Sequence, residues 1–198
     1  SLSYLAWGTA FFDWDLDGDE DLFVANGHMD DNVDAFGETT YQQRNQLFRN
    51  DGATAFANVS DLAGPGLLGI ESSRGAAIGD WDNDGDLDIA VSNINARASL
   101  LRNEVAGKRN WLSVRLVGTA GNRDAVGARV SVRTGDLVQV REMRRGGSYL
   151  STHDPRLHFG LGGHSRVDEI TVVWPGGQEQ RLQGSAGGQS ITIEQELP

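Results

Sequence analysis

The sequence predicts an all-β protein in two parts. Three observations carry that prediction: an acidic nine-residue pattern that occurs twice between short apolar runs, 26 glycines that punctuate such runs along all 198 residues, and a scarcity of helix formers. A chain of this length suffices for one large domain or two small ones with real cores, and the change in character near residue 103 favours two.

The first apolar run, Trp7 to Phe12, reads as a strand and feeds directly into Asp13-Trp14-Asp15-Leu16-Asp17-Gly18-Asp19-Glu20-Asp21. A second strand is expected over Leu22 to Ala25, because the run is short and rich in aromatic and β-branched residues. The same order returns later. Arg74 to Gly79 leads into Asp80-Trp81-Asp82-Asn83-Asp84-Gly85-Asp86-Leu87-Asp88, and Leu87 to Val91 follows, all at an offset of 67 residues. Both loops read D-W-D-x-D-G-D-x-D.

That spacing is chemistry as well as pattern. Carboxylates at loop positions 1, 3, 5 and 9 can converge on one cation, position 7 can add a backbone carbonyl, and the glycine at position 6 permits the sharp turn. A hard ion that accepts six to eight oxygens, chiefly Ca²⁺, suits such a donor set. An EF-hand would need a bidentate Glu at position 12 and flanking helices, but Val24 and Val91 stand there. The alternative reading is a solvated acidic turn, which two copies with identical spacing disfavour. Two Ca²⁺ sites between strands are therefore expected.

Each unit then carries an L-x-R-N strand, Leu47 to Asn50 and Leu100 to Asn103, now at an offset of 53, so the first unit holds 14 extra residues. They fall within Gly27 to Gln43, a polar excursion containing His28, Asp30, Asp31, Asp34 and Tyr41. Long excursions from a rigid scaffold often carry binding, and a surface loop with no ligand is the other reading.

After Asn103 the acidic loops stop, and the polar link Glu104 to Asn110 is taken as the boundary between parts 1–103 and 104–198. Strands are expected over Trp111 to Val117, Ala128 to Arg133, Leu137 to Met143, Leu157 to Leu161, Val167 to Trp174 and Gln189 to Glu194. The turn signals between them are Gly121-Asn122, Gly146-Gly147, Gly162-Gly163, Pro175-Gly176-Gly177 and Gly187-Gly188. Six to eight strands in this length predict a β-sandwich.

Charge follows the same division. Residues 1–103 hold 18 Asp and Glu against 5 Arg, whereas residues 104–198 hold 10 against 12 Lys and Arg. Two bound Ca²⁺ would offset four of the 13 excess negative charges in the first part, and the remaining acidity disfavours nucleic acid or anionic membrane as partners. No apolar run approaches the ~20 residues that span a bilayer. The chain starts in mid-pattern at Ser1-Leu2-Ser3, as a processed or truncated N-terminus would. It has no cysteine, which rules out a disulfide framework but not secretion. Weak Ca²⁺ sites stay filled only near millimolar Ca²⁺, so a secreted, periplasmic or cell-surface location is expected.

The motif G-x-A-x-x-D-x-D-x-D-G-x-x-D followed by L-F-R-N-D-G resembles the FG-GAP (VCBS-type) repeat. That resemblance implies blades of a β-propeller with Ca²⁺ in the loop between two blade strands. It carries Asp13, Asp15, Asp17, Asp21 and Asp80, Asp82, Asp84, Asp88 over as ligands, with Asp19 and Asp86 contributing backbone carbonyls. About two blades are present where closure needs at least four. Missing blades, in the same chain or another, are thus expected against this part. The second part is similar to the ASPIC/UnbV domain in N-W-L-S-V-R-L-V-G at Asn110 to Gly118, N-R-D-A-V-G-A-R-V at Asn122 to Val130, L-H-F-G-L-G at Leu157 to Gly162 and V-V-W-P-G-G at Val172 to Gly177. The expected architecture is a partial β-propeller plus a C-terminal β-sandwich.

Catalytic signals are sparse. His28, His153, His158 and His164 form no metal-binding pattern, His158 lies in an alternating strand as a packed or surface residue, and His153-Asp154 before Pro155 reads as a turn. There is no cysteine nucleophile and no G-x-S-x-G elbow. Carboxylates bound to Ca²⁺ would stay ionised and unsuited to acid catalysis. Arg141, Arg144 and Arg145 form a basic cluster that reads either as an anion site or as a solvated strand end. The expectation is a non-catalytic, calcium-binding module for adhesion, scaffolding or protein–protein contact, with a protein or glycan partner. The alternatives are the accessory C-terminal part of a secreted enzyme and a structural subunit of a surface assembly.

Overall fold

The computed structural model describes residues 4–37, 39–52, 55–105, 109–119 and 121–196; Ser1 to Ser3 and residues 106–108 of the polar link lie outside them. Strands dominate, and two short 3-10 turns at Val33–Phe36 and Pro65–Leu68 are the helical elements among the described residues. None of these is long and apolar enough to cross a membrane.

The first part contains strands β1 (Ala6–Phe12), β2 (Asp21–Asn26), β3 (Gln43–Arg44), β4 (Gln46–Asn50), β5 (Phe56–Asn58), β6 (Ile70–Glu71), β7 (Ser73–Gly79), β8 (Asp88–Asn93) and β9 (Ser99–Leu101). They build a four-stranded antiparallel sheet in the order β1-β2-β4-β5 and a three-stranded one in the order β7-β8-β9. Alternation along β1 turns Ala10 and Phe12 inward, and with Phe23, Ala25 and Leu47 they meet Ala76, Ile78, Ile89 and Val91 of the second sheet. One apolar core therefore lies between two successive repeat units, as between neighbouring propeller blades.

The second part contains β10 (Asn110–Val117), β11 (Arg129–Thr134), β12 (Leu137–Glu142), β13 (Gly147–Ser148), β14 (Ser151–Thr152), β15 (Leu157–Gly162), β16 (Arg166–Val173), β17 (Glu179–Ala186) and β18 (Gln189–Glu194). Two sheets, β15-β10-β18 and β12-β11-β16-β17, face each other as the expected sandwich. Their shared core is a separate cluster, with Leu112, Val114, Phe159 and Leu161 from one side and Val130, Val132, Ile170 and Val172 from the other, closed by Trp174. The pair β10 and β18 is parallel, in register from Leu112 with Gln189 to Val117 with Glu194.

Candidate metal centres and their buttress

Each acidic loop joins the first two strands of its sheet, β1 to β2 and β7 to β8, so a strand hairpin presents the carboxylates. The loop closes on itself through its own aspartates. Asp13 accepts the Asp17 and Gly18 N–H groups at 3.0 and 2.9 Å, Asp17 accepts the Asp19 N–H at 3.0 Å, and Asp21 accepts the Trp14 N–H at 2.8 Å. The second loop repeats this with Asp80 to Asp84 at 3.1 Å, Asp84 to Asp86 at 3.2 Å and Asp88 to Trp81 at 3.0 Å. The expected sharp turn is there too: Gly18 and Gly85 have φ of 100° and 102°, and Leu16 and Asn83 also sit in the left-handed region at 62° and 60°.

The L-x-R-N strand has a role that sequence spacing did not disclose. The backbone N–H of Asn50, the last residue of β4, donates to Asp21 at 2.8 Å, and that of Asn103, just past the end of β9, donates to Asp88 at 2.8 Å, so the end of the third strand orients the last loop carboxylate. Arg102 pairs with Asp82 at 2.9 Å and with Asp84 at 3.5 Å. Its counterpart Arg49 turns to Asp51 instead, and Arg109 from beyond the boundary reaches Asp15 at 3.1 Å and Asp17 at 3.6 Å.

Asp13, Asp15 and Asp21 present ligand oxygens that all lie within 4.8 Å of one another, as do Asp80, Asp82 and Asp88. Asp17 and Asp84 stand beside these sets as loop-closing acceptors, and Asp19 and Asp86 occupy position 7, where Asp86 is fully buried. Two oxygens of the second set, Asp80 Oδ2 and Asp82 Oδ1, are buried with no hydrogen-bond donor. Buried carboxylates packed this closely repel one another. Burial first, then neighbouring aspartates, pushes Asp13 up to about 7, and burial, opposed by its hydrogen bonds, pushes Asp21 up to about 6. Burial likewise raises Asp15, Asp80 and Asp88. An all-oxygen set with undonated buried lone pairs fits a hard divalent cation, which would supply the missing charge.

The sandwich packs directly on both loops. At the first, the Gly162 N–H donates to Leu16 O at 2.9 Å, and Gly160 is so close that a Cβ there would lie 2.0 Å from Asp13 Oδ2. At the second, Trp111 covers Gly85 and stacks on His158 at 6.0 Å, while the His158 Nε2–H donates to Gly85 O at 3.0 Å. Burial lowers His158 to about 4, which keeps the imidazole neutral. Arg156, held by Asp154, donates to Asp80 O at 2.8 Å and to Asn83 Oδ1 at 2.7 Å.

The other sequence candidates resolve differently. Arg141, Arg144 and Arg145 disperse to separate acids, Glu20, Glu142 and Asp124. The His153 ring accepts the Ile78 N–H at 3.1 Å, and the Asp154 N–H donates to Ile78 O at 2.9 Å, so the expected turn also covers the edge of β7. The Gly27 to Gln43 excursion is pinned at its neck by a Gly27–Gln42 bridge and by the His28 N–H to Tyr41 O bond of 2.8 Å. It exposes Met29 and Phe36.

A strand hairpin carrying a D-x-D-x-D-G-x-x-D loop, repeated and followed by a sandwich, defines a repeat protein with an appended β-domain. Family models make the class specific: residues 13–91 match the FG-GAP-like repeat and residues 118–197 match ASPIC and UnbV, so an FG-GAP-like repeat stretch is followed by an ASPIC/UnbV stretch. The chain is similar to cartilage acidic protein 1 of Xenopus tropicalis, 29% identical over 171 residues, which covers 83% of this chain and 25% of that protein. The Homo sapiens protein of that name is 30% identical over 124 residues, covering 61% of this chain and 18% of the relative. For Mus musculus the match is 32% over 108 residues, 52% of this chain and 16% of the relative. The chain thus spans a quarter or less of these relatives.

Proposed function

We propose that this chain is a calcium-stabilised, non-catalytic extracellular interaction module in which each acidic loop binds one Ca²⁺. The observation that carries the reading is the convergence of three buried or half-buried aspartates in each loop, with two buried oxygens of the second set lacking any donor. Asp13, Asp15, Asp21 and Asp80, Asp82, Asp88 would hold the ions, with Asp17, Asp84 and the backbone carbonyls of Asp19 and Asp86 completing the oxygen shells. The role of the ion is structural. It holds the carboxylates ionised, which removes them from acid–base catalysis and supports the non-catalytic reading. If each site binds with the ~0.1–1 mM affinity usual for extracellular modules, Ca²⁺ at ten times the dissociation constant would add about 1.4 kcal/mol per site.

An extracellular location is supported by that weak-binding regime and by relatives named for cartilage. A partner sheet is supported by the outer face of β7-β8-β9, where Ala77, Ala90, Leu100 and Trp81 line an open cleft of about 400 Å³. Further blades fit that face, and a protein or glycan ligand would then engage the assembled module. Calorimetric titration with CaCl₂ tests the metal reading: binding heats from two sites and a melting temperature that falls on chelation are expected. No heat and no change in melting temperature would refute it.

A further inference from the structure

We infer that the C-terminal sandwich is a working part of both metal sites, so that cation binding in the loops and docking of the sandwich form one linked equilibrium. This rests on the calcium reading above. Four loop residues have positive φ and therefore decide where the carboxylates converge: Leu16 and Gly18 in the first loop, Asn83 and Gly85 in the second. The sandwich touches all four. Leu16 is fully buried, its carbonyl accepts the Gly162 N–H, and its backbone lies 2.6 Å from where a Gly160 Cβ would stand. Gly18 faces Leu137 and Gln139 of β12, and the Gln139 amide in turn donates to Gly160 O at 2.7 Å. Asn83 takes the Arg156 guanidinium, and Gly85 is roofed by Trp111 and held through its carbonyl by His158.

These contacts act on loop shape without competing for the ion. Leu16 adopts a backbone conformation that bulky side chains seldom visit unless their surroundings enforce it, whereas Asn83, at the same loop position, is a residue type that tolerates it. For Leu16 the enforcement comes from a domain about 145 residues away in sequence, at Gly160 and Gly162. A sandwich that undocks releases the loops, and a loop that loses its ion and relaxes pushes on the sandwich. Linkage requires the effect to be reciprocal. Residues that orient ligands from outside the coordination shell typically change metal affinity by about 10- to 100-fold.

The test uses the whole chain. CaCl₂ is titrated calorimetrically into wild type, Trp111→Ala and Gly160→Ala, with Asp80→Asn identifying which heat belongs to the second loop. Amide exchange at Gly162 and Asp154, whose N–H groups bond across the junction to Leu16 and Ile78, is followed with calcium and with chelator. Trp111 lies outside the sandwich core that its neighbours Leu112 and Val114 enter, so its truncation leaves that core intact. Expected are an about tenfold weakening at the second loop in Trp111→Ala, a like loss at the first loop in Gly160→Ala, and about tenfold slower exchange at Gly162 and Asp154 with calcium. Unchanged titrations in both variants, or exchange at Gly162 and Asp154 that calcium does not slow, would overturn the linkage while leaving calcium binding in place. Absence of any heat in wild type would instead remove the calcium reading and the linkage with it.

Discussion

The two repeat units present equivalent positions to different surroundings. Ala10, Trp14, Phe23 and Leu47 of the first unit correspond to Ala77, Trp81, Ala90 and Leu100 of the second. The first set packs against the sheet that follows it, and Leu47 is 1% exposed. The second set lines an open cleft that Thr152, Asp154 and Arg156 only border, and Leu100 is 48% and Trp81 69% exposed. Equivalent positions can thus be core or surface according to the neighbour alone. What the repeat specifies is half of an interface, and the half on the second unit is apolar enough to need covering.

Several substitutions would break or sharpen that contrast. The largest separation is expected from leucine truncation: Leu47→Ala should cost about 2–5 kcal/mol in denaturant unfolding. Leu100→Ala should stay within about 0.5 kcal/mol in this chain and become costly once a further repeat covers it. Equal costs would contradict the half-interface. Next, Asp80→Asn should weaken calcium binding about a hundredfold at its own loop, seen in calorimetry as one remaining site, because it removes a ligand charge.

The pH response of the metal-free protein comes third. The Asp13 carboxyl, raised from 3.8 to about 7, favours the folded state when protonated, so its contribution is full below 3.8 and lost as pH rises through 7. His158, lowered from 6.5 to about 4, works in the opposite sense below 6.5. In chelator the melting temperature should therefore fall between pH 6.5 and about 8, and saturating calcium should abolish the fall by keeping Asp13 ionised. A flat profile in chelator would show that Asp13 is not held protonated. The smallest effect distinguishes the two motif asparagines. The Asn103 side chain crosses to Trp14 O at 2.8 Å, whereas Asn50 reaches Glu20 O at 3.3 Å within its own unit. Asn103→Ala should cost about 1 kcal/mol and Asn50→Ala about half that in thermal unfolding.

The repeated strands and acidic loops of both units were legible because their signals are local: a two-residue period, a fixed carboxylate spacing and one glycine; β3, β5 and β6, of two or three residues each, are too short to carry such a signal. The loops' surroundings were not. His158 reads from its strand as packed or surface, and its partner Gly85 is a residue 73 positions earlier that no spacing connects to it. Gly160 looks like an ordinary strand glycine until Asp13 is seen against it. Strand β17 escaped notice because Glu179-Gln180-Arg181-Leu182-Gln183-Gly184-Ser185-Ala186 is almost wholly polar; it forms an edge, where pairing with β16 on one side suffices. The basic cluster dissolved because Arg141 and Arg145 meet acids from other segments, Glu20 and Asp124, and Arg144 folds back on its near neighbour Glu142.

The parallel pairing of β10 with β18 has a mechanical consequence. The chain enters the sandwich at the start of β10 and leaves it at the end of β18, and the two strands run side by side through six paired positions. Tension applied to Asn110 and Glu194 therefore drags the strands lengthwise past each other. Every rung of the ladder is loaded together, since parallel bonds are evenly spaced along the strands. The sandwich resists pulling in shear, whereas a hairpin such as β16 and β17, pulled from its open ends, would unzip one rung at a time.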